Sequence, residues 1–375
     1  RLDGIPLAIE MAAARVPMLG LDGMAQLLDE RFHVLTIGRR GALARHRTLH
    51  ATLDWSYNLL SQQERVVFRR IGYFVGDFTL AAAIAAASDP ALDQFDVINC
   101  ITSLVAKSLL VADLGSAHAR YRLLESTRAY AQEKLCQAQE SGQVARQTAQ
   151  HYQWVFKSCF DDWTRLADTA FEARYTPELE NMRQSLDWAF GVDGDVEIGL
   201  ELTGCSGPVW CNRSLLGEAR QRIDCALALI TPATPLAVRM ELWLAAAAIF
   251  YWRRSDRGVP VSEQALQLAR EFGDPLRLGY VLVTLACCMI LRDDPQATAL
   301  LQEAQPLLLQ TRRTRLLALL HKAYGISAAL QGDIEQSIRE YRIALDLATR
   351  AGADLQMLNA QENLADAFWL AGDLD

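Results

Sequence analysis

Only four lysines occur in the 375 residues, Lys107, Lys134, Lys157 and Lys322, and none of them follows a glycine. The phosphate loop G-x-x-x-x-G-K-[ST], whose lysine reaches the β- and γ-phosphates, is therefore missing from this chain. No apolar run approaches about 18 residues, so no membrane span is expected, and no secretory leader precedes the first helix. The eight cysteines (Cys100, Cys136, Cys159, Cys205, Cys211, Cys225, Cys287, Cys288) form no C-x-x-C pair. Most lie in apolar helical runs, which reads as reduced, buried thiols in a cytoplasmic protein. His46 and His50 have i, i+4 spacing but no Glu between them, and Arg47 repels a cation. Two surface histidines are expected, and no metal site. Gly204-Cys205-Ser206-Gly207-Pro208 lacks the G-x-S-x-G elbow and a neighbouring base, so it reads as an inter-helix loop. Asp161-Asp162 and Asp293-Asp294 read as helix starts, where carboxylates meet the dipole. No catalytic residue is expected in this chain.

What is present is a globular composition of two or three domains, 51% hydrophobic and 22% charged. The net charge of -8 excludes a uniformly basic nucleic-acid coat. Residues 1–150 hold 16 basic and 15 acidic side chains, leaving 21 and 30 for the rest, so any nucleic-acid contact belongs in the first part. Arg1 in place of Met, and a helix-opening Gly372-Asp373 near the last residue, point to a chain cut at both ends.

Helices are expected over Met24–Phe32, Thr48–Leu60, Ser61–Phe74, Thr79–Ala87 and Phe95–Leu109, with Ser61 and Glu64 forming a capping box. The short β-type runs Leu109–Leu114 and Ala119–Leu124 flank Gly115-Ser116 and read as a hairpin, after which Ser126 is expected to cap a helix reaching Glu140. Helices followed by a hairpin are the order of a winged helix. Its groove-reading helix would be Phe95–Leu109, carrying Asp96, Asn99, Thr102, Ser103 and Lys107. DNA readers present Arg, Lys, Asn or Gln with basic flanks. This helix is largely apolar, so docking on protein is favoured over reading DNA, despite the nearby cluster Arg39, Arg40, Arg45 and Arg47. A helical stretch follows over Val144–Phe190, with Trp154, Trp163 and Trp188 as expected apolar anchors.

The remainder repeats. Ala226-Leu227-x-Leu229 returns as Ala265-Leu266-x-Leu268 and Ala344-Leu345-x-Leu347, with a worn copy at Ala304 and Leu307; the offsets are 39, 39 and 40. Small residues Ala247, Ala286, Gly325 and Ala365 keep the same spacing. Two columns with one period imply stacked helix pairs, a solenoid whose small residues admit close helix approach. Tetratricopeptide repeats have this helix–turn–helix unit at about 34 residues; here it is longer.

RLDGIPLAIEMAAARV resembles the G-x-P segment that closes the nucleotide-binding domain of STAND ATPases, the signal-transduction ATPases that include NB-ARC proteins. RHRTLHATLDWSYNLLSQQERVVFRRIGYFVGDFTLAAA and YRLLESTRAYAQEKL resemble the winged-helix module that follows it in bacterial transcriptional regulators of the antibiotic-regulator type. The repeats resemble their tetratricopeptide sensor arm. The resemblance implies a mainly α chain: the end of a helical lid (1–40), a winged helix (41–142), a helical connector (143–195) and a solenoid of tetratricopeptide-like repeats of period 39–40 (196–375). It also implies the regulatory and sensor portion of a nucleotide-switched ATPase regulator. ATP or ADP would be held only in the full-length protein, since the Walker segments lie upstream, and the chain alone would not be an enzyme. Gly4 and Pro6 would pack near adenine, and Arg45 and Arg47 would approach phosphates. Arg122-Leu123-Leu124 stands where many relatives have Met-His-Asp, so that phosphate contact is not expected. Partners would be the upstream nucleotide-binding domain and a protein or small-molecule inducer on the repeats, with DNA bound through another domain. The rivals are a repeat scaffold without switching and a winged helix that binds DNA directly.

Overall fold

The computed structural model describes residues 56–113, 115, 119–252, 255–292 and 294–372, with the separate positions 16, 20, 21, 53 and 54. The chain forms two compact units, 1–151 and 152–375. The division falls within the helix Ser141–Phe156.

In the first unit the described elements run α1 (Gln62–Ile71), β1 (Phe78–Thr79), α2 (Leu80–Ala87), α3 (Gln94–Ala106), β2 (Val111–Asp113), β3 (Arg120–Arg122), α4 (Glu125–Gln137) and α5 (Ser141–Phe156). Helix α1 starts where its cap demands. Ser61 Oγ accepts from Glu64 N at 3.2 Å, and Glu64 Oε2 accepts from Ser61 N at 2.7 Å. Thr79 and Asp93 cap α2 and α3 through their side chains. The hairpin is joined by a strand that propensity did not reveal. β1 pairs antiparallel with β3, giving the order β1-β3-β2 with Phe78 opposite Tyr121. Two residues carry no alternation, so β1 exists only through its partner. Phe68, Ile71, Phe78, Ile101, Leu104 and Tyr130 fill the core. The order helix–strand–helix–helix–hairpin is that of a winged helix.

Two local expectations are corrected here. Ser126 does not cap α4: the helix already begins at Glu125, Leu124 is the N-cap position, and no side chain caps it. Trp154 is 72% exposed rather than an anchor, because α5 buries Ala145, Ala149, Tyr152 and Phe156 at helical spacing and turns residue 154 away.

The second unit contains α6 (Cys159–Arg165), α7 (Asp168–Tyr175), a 3₁₀ turn (Thr176–Glu178), α8 (Leu179–Ala189), α9 (Val196–Cys205), α10 (Gly207–Asn212) and α11 (Leu216–Leu227). Then come α12 (Leu236–Trp252), α13 (Gly258–Phe272), α14 (Pro275–Ile290), α15 (Gln296–Thr311), α16 (Thr314–Leu330), α17 (Ile334–Ala351) and α18 (Asp354–Ala371). Helices α12, α14, α16 and α18 begin 39, 39 and 40 residues apart, and each packs on the helix that follows or precedes it, as the period requires. Ala226, Ala265, Ala304 and Ala344 are all buried. A further column appears seven residues earlier: Ala219, Gly258, Ala297 and Ser337, all small and all buried. Small side chains two turns apart on one face let the paired helices close without a void. Gly325 shows how close: a Cβ there would lie 2.4 Å from the Tyr341 ring. Two column members depart from expectation. Ala365 is exposed, since α18 is the last described helix, and Leu229 is 43% exposed because α11 has ended two residues before it.

Candidate functional site

Gly4, Pro6, Arg45 and Arg47, the residues expected near nucleotide, lie outside the described residues, as do Arg39, Arg40, His46 and His50. Among the described residues no cluster of His, Cys, Asp or Glu is arranged to hold a metal ion, and no helix is long and apolar enough to cross a membrane. Gly204–Pro208 is a junction between helices. α9 ends at Cys205 and α10 begins at Gly207. There the chain lies so near α12 that a Cβ on Gly204 would fall 2.7 Å from Leu242 N. Burial pushes the Cys205 thiol well above its ordinary range, the opposite of an activated nucleophile.

The face of α3 has little free charge. Glu64 Oε1 accepts from Ser103 Oγ and from Lys107 Nζ, both at 2.5 Å. Burial raises the Glu64 carboxyl, but the bonds from Lys107, Ser103 and Ser61 outweigh it and hold it at about 2. Lys107, at the C-cap of α3, is thus engaged within the domain. Asn99 and Thr102 remain exposed, and so does Phe95, at 65%.

In the repeat unit the structure assembles a site that the motifs did not reveal. Helices α6 and α7 lie against the repeat helices. Asp168 N donates to Gly352 O at 2.8 Å, and the side chains of Asp168 and Arg315 meet at 2.7 Å, both nearly excluded from water. Arg315 Nη2 also donates to Leu166 O at 2.8 Å, and its guanidinium lies 5.3 Å from the Trp163 ring centroid. A second pair stands nearby. Arg277 reaches Glu241 at 2.6 Å and Asp274 at 2.7 Å, and its guanidinium lies 5.1 Å from the Phe160 ring centroid. Burial pushes the Glu241 carboxyl above its usual range despite Arg277. Burial works against the Arg277 charge, yet Glu241, Asp274 and Asp161 together keep it raised. Between these pairs lies a cavity of about 40 Å³ walled by Trp163, Asp168, Asn212, Glu241, Tyr280, Arg315 and Gln356, with small contributions from Ala245 and Ala248. It draws on α6, α7, α9, α10, α12, α14, α16 and α18.

Sequence reasoning missed these residues, though the repeat register holds a signal. Arg315 occupies the column of Ala237 and Leu276, and Lys322 the column of Leu244 and Val283. Both are polar breaks in aliphatic columns, and Leu276, Leu244 and Val283 are buried where Ala237 is exposed. Lys322 is buried, its charge opposed by desolvation, with its Nζ 3.4 Å from Tyr251 Oη and 5.6 Å from the Trp252 ring centroid.

Comparison with known proteins begins with the domain. Residues 60–136 match the family model described as a winged helix-turn-helix domain, in agreement with the topology above. Across 299 residues, 76% of this chain, the sequence is 36% identical to proteins of Mycobacterium tuberculosis and Mycobacterium bovis that carry the name "Putative HTH-type transcriptional regulator". The sequence is thus similar to these regulators over most of its own length, and it carries a winged helix followed by helical repeats. It spans about a third of the length of those curated relatives (33%). An uncharacterized protein of Mycobacterium tuberculosis is 38% identical over 152 residues, 40% of this chain and 39% of its own length. Among solved structures, a STAND protein with a tetratricopeptide repeat sensor from Pyrococcus horikoshii aligns over 96% of this chain and 63% of its own, at 11% identity and a TM-score of 0.41.

Proposed function

We propose that this chain is the regulatory and sensor portion of a nucleotide-switched transcriptional regulator. Its repeats receive an inducer or protein partner, and its winged helix relays that event to a nucleotide-binding domain elsewhere in the protein. The observation that carries the reading is the cavity in the repeat unit, closed by the paired Asp168 and Arg315, in a chain whose earlier residues match a winged helix-turn-helix domain. A tie between α7 and α16, residues 147 apart in sequence, is the kind of contact a bound molecule strengthens or breaks. In this reading ATP or ADP binds only in the full-length protein, catalysis lies outside this chain, and the site of action is the cytoplasm.

The test is made in the full-length protein. Removing both charges, with Asp168→Leu and Arg315→Met together, avoids leaving one buried ion unpaired. The double variant is expected to change release of a fluorescent ADP analogue and reporter transcription at least threefold while far-UV circular dichroism stays unchanged. Nucleotide release and transcription that ignore the change would leave a repeat scaffold without switching.

A second reading is direct DNA contact by the winged helix, favoured by exposed Asn99, Thr102 and Arg122. The engagement of Lys107 and Ser103 by Glu64 weighs against it. Duplex binding with a steep salt slope, lost on Arg45→Ala and Arg47→Ala, would decide for DNA.

A further inference from the structure

Around the cavity three polar atoms have no hydrogen-bond partner among the described residues: Asn212 Oδ1, Gln356 Oε1 and Arg315 Nε. Arg315 is 2% exposed and Gln356 7%. Leaving such an atom unmatched in the interior costs about 1–3 kcal/mol, and native interiors keep few of them. Three on one small cavity call for a common explanation. Asn212 Nδ2 donates to Asp168 Oδ1 at 3.3 Å, which fixes the amide so that its carbonyl oxygen is the unmatched end.

The charges of the site are in the contrary condition. Arg315 is neutralised by Asp168, and Arg277 by Glu241 and Asp274. An entering anion would lose its hydration and meet no uncompensated positive charge, and a cation would lose its hydration beside two guanidiniums and offer Arg315 Nε no acceptor, so ions are disfavoured. What the walls lack is two hydrogen-bond donors and one acceptor. One primary amide group supplies this set, its two N–H bonds facing the Asn212 and Gln356 oxygens and its carbonyl accepting from Arg315 Nε. At about 10–15 Å³ for each water-sized group, 40 Å³ accepts about three, the scale of a small amide. The rings of Trp163 and Tyr280 offer apolar wall to its flanks.

We propose that this cavity binds an uncharged primary carboxamide. Its regulatory meaning rests on the sensor reading above; the binding itself does not. The full-length protein is titrated with three isosteres, acetamide, acetate and acetamidinium, followed by saturation-transfer NMR and thermal shift. Acetamide is expected to bind at least tenfold more tightly than either ion. Gln356→Leu should weaken it at least tenfold with no fall in Tm, since it replaces an unmatched oxygen by carbon, and Asn212→Leu should weaken it as much with a lower Tm, since it also removes the donor to Asp168. Benzamide separates two sources: tighter binding than acetamide marks the amide end of a larger molecule, and exclusion marks a free small amide. No binding of acetamide, equal binding of acetate or acetamidinium, or binding undiminished in both variants overturns the proposal. If acetamide binds as expected but leaves release of the ADP analogue unchanged, the site stands and the sensor reading falls.

Discussion

The two units use polar residues to opposite ends. In the winged helix a few long-range clamps join distant segments. Glu140 accepts from Arg69 at 2.7 and 2.8 Å and from Arg70 at 3.2 Å, while Arg70 also meets Asp89 at 2.7 Å and donates to Ala87 O. One guanidinium thereby ties α1, the end of α2 and the start of α5. In the repeats, cohesion comes instead from apolar columns between neighbouring helices, and the buried ion pairs gather around the cavity. The first design concentrates stability in few residues, and the second distributes it. A lesion should therefore spread through the winged helix and stay local in the solenoid.

The largest expected effect tests the concentrated side. Arg70→Met leaves Asp89 without its guanidinium and Glu140 with Arg69 alone, so the first unit should lose about 3 kcal/mol. Hydrogen exchange should accelerate across α1, α2 and α4 together, with the repeat helices unchanged. Exchange confined to α1 would refute the contrast. On the distributed side, Gly325→Ala drives a methyl into the Tyr341 ring and should cost about 2 kcal/mol. Its faster exchange should be limited to α16, α17 and their immediate neighbours; collapse of α12 and α13 would show that the solenoid unfolds as one.

Acid sharpens the same comparison. Burial opposes the charge on Glu140, but bonds from Arg69 and Arg70 hold its carboxyl at about 2, as the Lys107 bond helps to do for Glu64. Both groups bind protons less tightly folded than unfolded, where about 4.5 is usual. Their stabilisation is thus full above pH 4.5 and fades as the pH falls toward 2. After solvent screening each is worth on the order of 1 kcal/mol. Urea unfolding at pH 5 and pH 3 should show the first unit weakening, with a smaller loss in Glu140→Gln, where that carboxylate no longer titrates.

The smallest effect is a gain. Helices α13 and α17 end in left-handed Gly273 and Gly352, but α15 ends in Arg312 at φ 53°. A side chain there carries roughly 1 kcal/mol of backbone cost, so Arg312→Gly should raise the Tm slightly, read by calorimetry. A fall in Tm would mean that the Arg312 side chain contributes a contact larger than that strain.

Much of this was legible because it is local or periodic. The Ser61–Glu64 box depends on three-residue spacing, and the repeat columns on a period that survives in sequence. Strand β1 was not legible, since Phe78-Thr79 is a strand only by facing Tyr121 and Arg120. Trp154 misled because an aromatic residue is expected inside unless the whole face of its helix is tracked. The cavity was hidden for a different reason. Its walls come from eight helices, and each of Asn212, Arg315 and Gln356 taken singly resembles an ordinary surface residue. Only a comparison of equivalent positions, with Arg315 beside Leu276 and Ala237, marks one of them as out of place.

The bond between Asp168 and Arg315 also sets a count. Stacked modules with interchangeable seams are free to lengthen or shorten by duplication and loss, since any copy fits against any other. Here a carboxylate before the first module must find a guanidinium in a particular later one. Adding or deleting a copy between them would carry Arg315 a whole module away and strand both ions. The array is thereby ruled to a fixed length by its own lock, and the bond from Asp168 N to Gly352 O extends that lock through α17.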